Sequence, residues 1–107
     1  MHILEKLKLI YRAHNYRLRL DRGGIAFICS EIKPGDTVLD IGSHKGGYLY
    51  FMRQRTGSKG RIFAFEPQKQ LYEYLLKIKG IFGWENVVPE RMAISDTMGE
   101  VVLTIPK

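Results

Sequence analysis

Apolar side chains recur near the start of the chain at Ile3, Leu7, Ile10, Tyr11 and Leu18, with basic residues between them. The spacing is close to the 3.6-residue period of a helix with one apolar stripe, and predicts an amphipathic helix over residues 3–20. Asp21-Arg22-Gly23-Gly24 interrupts it. Ile25–Ile32 reads as a second, shorter helix, closed by the turn Lys33-Pro34-Gly35-Asp36. The period then changes. Thr37–Ile41 is an apolar run with β-branched residues, broken only by Asp40, which is the pattern of a parallel strand buried on both faces. Gly47–Arg55 returns to a helical pattern, with Leu49 and Met52 inward and Phe51 a further candidate. After the loop 56–60, Arg61–Phe65 is a second short strand, stopped by Glu66-Pro67.

Pro67 suits the first turn of a helix, where its missing N–H costs nothing. Leu71, Leu75 and Ile78 carry that helix to about Lys79, and Phe82 and Trp84 anchor the connection after it. Val87–Ile94 is a third strand candidate, in which Pro89 argues for a sheet edge or a late strand start. Ser95–Gly99 is a turn, and Glu100–Ile105 alternates as a fourth strand, a candidate antiparallel neighbour of the third. Strands alternating with helices imply right-handed crossovers and an α/β fold, a Rossmann-like parallel sheet with flanking helices. No internal repeat or low-complexity tract interrupts it.

Composition narrows the class. With 107 residues the chain is one domain or part of one, and 45% hydrophobic residues suffice for a core. No apolar run reaches the length of a membrane span, and Met1–Leu20 lacks the apolar block and cleavage site of a secretory signal, so a cytoplasmic location is expected. The single cysteine, Cys29, lies in an apolar helical pattern and reads as a buried structural thiol. His2, His14 and His44 show no metal-ligand spacing, so no metal site is expected. The net charge is +6, of which residues 1–22 carry +4, from six Lys/Arg against Glu5 and Asp21. Such an arm can bind nucleic acid or an anionic surface, but more commonly it is the solvated face of a helix.

The chemistry concentrates at "VLDIGSHKGG", Val38–Gly47. Ligands of open α/β sheets bind beyond the carboxyl ends of the strands. Asp40 stands at such an end. Gly42 and Gly46 allow backbone angles closed to other residues, and the following helix offers unpaired N–H groups to an anion. Glu66, at the tip of the next strand, can accept hydrogen bonds from both hydroxyls of a ribose. The loop does not match the dinucleotide pattern G-x-G-x-x-G, and no G-K-[ST] of a phosphate-binding loop follows. A pyrophosphate beside Asp40 would meet like charge at a cost on the order of several kcal/mol if unscreened. S-adenosylmethionine, with its ammonium, sulfonium and ribose, suits the same groups.

"VLDIGSHKGGYLYFM", "RIFAFEPQKQLYEYL" and "NVVPERMAISDTMGEVVL" together resemble the first half of an FkbM-type, class I S-adenosylmethionine-dependent methyltransferase, over roughly residues 33–105. The resemblance implies that Asp40, Gly42, Ser43 and Gly46 contact the methionine end of the cofactor. It implies that Glu66 binds the ribose and that Ser95 and Asp96 lie near the adenine. His44 and Lys45 depart from the blander loop of the family. The implied reaction is methyl transfer to a hydroxyl of a sugar or secondary metabolite, a small-molecule acceptor, with no catalytic base identified. Members of the family have a larger sheet. The chain is therefore expected to be residues 1–32 as an N-terminal helical segment and 33–107 as half of a methyltransferase domain, cut after about four strands and inactive or nearly so alone. The first strand would then form an open edge through which two copies associate. Two alternatives remain. A basic module binding nucleic acid or an anionic surface has the charge, but nucleic acid is disfavoured because no reader motif or interleaved exposed aromatics accompany it. A nicotinamide oxidoreductase is disfavoured by the loop spacing.

Overall fold

The computed structural model describes residues 2–43, 45–93 and 104–105. Helix α1 (His2–Asn15) continues into a π-helical segment, Tyr16–Leu20. Then follow α2 (Arg22–Glu31), β1 (Thr37–Ile41), α3 (Gly47–Thr56), β2 (Arg61–Phe65), α4 (Lys69–Phe82), β3 (Val87–Glu90) and β4 (Thr104–Ile105). The sheet order is β3-β2-β1-β4. The first three strands are parallel, with Asp40 opposite Ala64 and Ala64 opposite Pro89. Pro89 therefore sits on an edge strand, as its missing donor requires.

Local chemistry sets the boundaries. Asp21 does not merely break the chain: its Oδ1 accepts from the Gly24 N–H at 2.9 Å and caps α2. A Cβ on Gly24 would fall inside that carboxylate, so the helix opens with glycines under the cap. Pro67 lies before α4 rather than in its first turn, because the chain enters the helix through Gln68, whose N–H donates to Glu66 Oε2 at 3.1 Å. Gly83 ends α4 in the left-handed region, φ 68°, and Trp84 N–H closes the turn on Lys79 O at 3.0 Å.

Val38, Ile62, Ala64 and Val87 point to one face and share a core with Leu9, Ile25, Leu49, Phe51, Leu75 and Ile78. The described helices form a layer on that face, with α1 and α2 against α3 and α1 against α4. On the other face Leu39, Ile41, Phe63, Phe65 and Val88 are only half-buried. The sequence pattern of a doubly buried β1 is corrected here: the strand alternates, and only Val38 and Asp40 turn into the helical layer.

Two other expectations are corrected. The stripe Ile3, Leu7 and Tyr11 faces outward, while Leu9 and Ala13 face the core. Polar residues on the core-facing side of α1 find partners on α4. Glu5 lies 3.6 Å from Lys77 Nζ, and Arg12 Nη1 donates to Tyr74 OH at 2.9 Å. The fourth strand, expected over Glu100–Ile105 beside β3, is described only at Thr104–Ile105 and pairs antiparallel with β1, Thr37 opposite Ile105. It covers the first two residues of the β1 edge. Leu39–Ile41 have no further strand partner among the described residues.

Candidate cofactor-binding site

The parallel register carries the carboxyl ends of β1 and β2 to the same level, with Ile41 opposite Phe65. The chain leaves β1 through Gly42 and Ser43, whose N–H groups both donate to Phe65 O, at 2.8 and 3.1 Å. Ser43 is buried, and its hydroxyl donates to Asp40 O at 3.1 Å. Gly46 N–H returns to Ser43 O at 2.9 Å and Gly46 O receives the Tyr50 N–H at 3.0 Å, which turns the loop directly into α3. The loop is thus pinned to the tip of β2, beside Glu66.

The two loop glycines do different work. Gly46 has φ 83°, and a Cβ there would lie 3.0 Å from Ile78 Cδ1 and 3.6 Å from Leu9 Cδ1. It lets the loop pack down on α4 and α1. Gly42 has φ 73°, is exposed, and has nothing within 4 Å of a built Cβ. Its bare backbone faces open space in which a ligand can lie.

Asp40 is 5% exposed, and its Oδ2 has no hydrogen-bond partner among the described residues. Burial pushes its carboxyl up to about 6, a hydrogen bond from Ser43 opposes the shift, and the charge of Glu66 adds to it. Glu66 is 2% exposed; its N–H donates to Glu90 O at 3.0 Å and its Oε2 receives the Gln68 N–H. The two acids that the sequence paired are therefore neighbours, close enough to perturb one another. A buried carboxylate oxygen without a donor is costly by itself. It fits a cationic ligand group, as the ammonium of S-adenosylmethionine would be. Among the described residues no group of His, Cys, Asp and Glu gathers as a metal site.

The structure brings together Asp40, Gly42, Ser43, Gly46 and Glu66. Ser95, Asp96 and His44 lie outside the described residues. Two contacts escaped the sequence reading. Arg12 reaches from α1 to Lys45 O in the glycine loop, at 3.4 Å, while bound to Tyr74. Tyr48, in the first turn of α3, donates its hydroxyl to Asp21 Oδ2. That bond and the Gly24 N–H lower the Asp21 carboxyl below its usual range. Asp21 three residues before Gly24 is a capping signal that could have been read; the Arg12 contact spans 33 residues and left no local mark.

No protein-family model matches the chain. It is 33% identical over 79 residues to ribosomal RNA large subunit methyltransferase E of Methanocaldococcus jannaschii, covering 68% of this chain and 32% of that one. The chain thus spans about a third of that relative's length. An S-adenosylmethionine-dependent O-methyltransferase from Thermotoga maritima superposes with a TM-score of 0.61 at 25% identity, over 68% of this chain and 29% of that one. Fibrillarin from Aeropyrum pernix, solved with natively bound S-adenosylmethionine, superposes with a TM-score of 0.55 at 24% identity, over 65% of this chain and 31% of that one. These likenesses show a Rossmann-like α/β fold shared with S-adenosylmethionine-dependent methyltransferases.

Proposed function

We propose that this chain, built on the class I methyltransferase fold, is the cofactor-binding half of an S-adenosylmethionine-dependent methyltransferase. The single observation that carries the reading is Asp40: a buried carboxylate oxygen without a donor among the described residues, beside Glu66 and a glycine loop open at Gly42. A diphosphate would leave that oxygen unsatisfied and add charge of the same sign. An ammonium satisfies it.

In this reading Asp40 holds the ammonium of the methionine end, and Ser43 keeps Asp40 in place. The first turn of α3, whose N–H groups have no intrahelical acceptor, receives the carboxylate of the same end. Gly42 lets the ligand lie on the main chain. Glu66, its Oε2 already accepting from Gln68, receives ribose hydroxyls, and Ser95 and Asp96 border the adenine as the family resemblance implies. When bound, the cofactor supplies a sulfonium methyl to a nucleophilic oxygen, and the protein contributes orientation. The FkbM-type motifs favour a hydroxyl of a sugar or secondary metabolite as acceptor, in a cytoplasmic enzyme.

A second acceptor, RNA, is favoured by the net charge of +6 together with the likeness to a ribosomal RNA methyltransferase. It reopens a partner that the lack of a reader motif disfavours. Retention of RNA by the chain, falling steeply with salt, would separate it from a small-molecule acceptor.

Calorimetric titration tests the cofactor reading directly. S-adenosylmethionine is expected to bind and NAD not to. Binding of NAD alone would overturn the assignment, as would a folded chain that takes neither.

A further inference from the structure

Four large apolar residues of α1 are on the outside. Ile3, Leu4, Leu7 and Tyr11 are 68%, 57%, 56% and 73% exposed. Ile3, Leu7 and Tyr11 follow at i, i+4 and i+8, and Leu4 stands beside Leu7, so the four form one stripe along the helix. The opposite side is committed to the core through Leu9 and Ala13. Turning the helix over is therefore not open to it, and the stripe stays in water unless something covers it.

The border of the stripe says what covers it. Lys8 is exposed next to Leu7, and Arg17, Arg19 and Arg22 are exposed beyond the end of α1. Arg19 joins Tyr11, His14 and Asn15 around a cavity of about 190 Å³, which places a cation at the end of the stripe. The sole acid of α1, Glu5, is turned toward Lys77. The outward surface of α1 is thus aliphatic in its middle and cationic at its margin. A second copy would bring two segments of net +4 together with no acid on this surface to offset them. RNA has phosphates for the margin but no use for three aliphatic side chains that neither stack nor hydrogen-bond. An anionic lipid surface answers both parts, with phosphates for the cations and the acyl boundary for the stripe.

We propose that α1 docks this chain on an anionic lipid surface, lying in the plane of the headgroups with Ile3, Leu4, Leu7 and Tyr11 inserted and Lys8 and Arg19 among the phosphates. The contact is interfacial, since no described helix is long and apolar enough to cross a membrane. It is independent of the cofactor site, whose loop meets the other side of α1.

Co-sedimentation with vesicles tests it. The intact chain is expected to bind vesicles of phosphatidylglycerol and phosphatidylcholine at least about tenfold more tightly than pure phosphatidylcholine vesicles. The pair Ile3→Ser and Leu7→Ser, both at exposed positions, is expected to weaken binding by about tenfold or more with an unchanged melting temperature. The pair Lys8→Glu and Arg19→Glu is expected to erase the preference for the anionic lipid. Failure of the intact chain to bind anionic vesicles would overturn the proposal. So would equal binding by the serine pair, a dimer in sedimentation velocity that the serine pair dissolves, or RNA retention that depends on the stripe in the absence of vesicle binding.

Discussion

Asp40 sets the balance between stability and binding at the scale of one residue. Its carboxyl is raised from 3.8 to about 6, so it favours the fold only while protonated. That contribution is complete below 3.8 and is lost as the pH rises through about 6. At neutral pH the ionised group costs the ligand-free chain on the order of 3 kcal/mol. Asp40→Asn is therefore expected to stabilise the protein by about 1–3 kcal/mol near neutral pH, with the gain shrinking in acid. Denaturant melts on both sides of the transition would check it. The same substitution removes the charge that the proposed binding mode sets against the ammonium, so S-adenosylmethionine affinity is expected to collapse, and in the unaltered protein to weaken as the pH falls through about 6. Among the described residues no donor meets Asp40 Oδ2, and the ammonium of the proposed ligand would supply one.

At the scale of the element, α1 is part of the site as well as of the surface. Arg12 bridges Tyr74 on α4 to the Lys45 carbonyl in the glycine loop, and its guanidinium lies 5.6 Å from the Tyr74 ring centre. Leu9 lies under Gly46 from the same helix. Arg12→Met keeps an unbranched apolar stem and removes both hydrogen bonds. It is expected to lower S-adenosylmethionine affinity by about three- to tenfold, in keeping with the loss of one or two net hydrogen bonds. Faster amide exchange at Gly46 and Gly47, measured alongside, would place the effect in the loop rather than in global stability. Elements defined by near neighbours in sequence were legible before any coordinates: β1, β2 and α3 begin and end within a residue of where their patterns predict. The acids and glycines at the strand tips were legible for the same reason, since strand, loop and helix follow one another without interruption. The orientation of α1 was not. Either of its two faces could have been buried, and partners more than sixty residues away, such as Tyr74, decide between them. The pairing of Thr104–Ile105 with β1 was hidden likewise, because strand partners far apart in sequence leave no periodic signal.

For the whole molecule, the one-sided sheet matters most. Leu39, Ile41, Phe63, Phe65 and Val88 remain half-buried on the face away from the helices, and the β1 edge has no strand partner from Leu39 onward among the described residues. A half-covered apolar sheet next to unpaired strand groups favours association. The chain is expected to self-associate with rising concentration in sedimentation velocity, and Phe63→Ser, on the open face, to return it to a monomer. Loss of the dimer on substitution at Ile3 and Leu7 instead would assign the association to α1.

The aromatic pair at the opposite pole from the glycine loop has a practical bearing. Trp84 is the one tryptophan of the sequence, 7% exposed and stacked on Phe82 with ring centres 4.7 Å apart. It stands where α4 hands the chain to β3, at the amino ends of the strands. Its fluorescence is thus a gauge of whether the hydrophobic interior is assembled, and is largely blind to what happens at the mouth. A titration followed by indole emission would register melting or refolding and pass over an occupied pocket in silence.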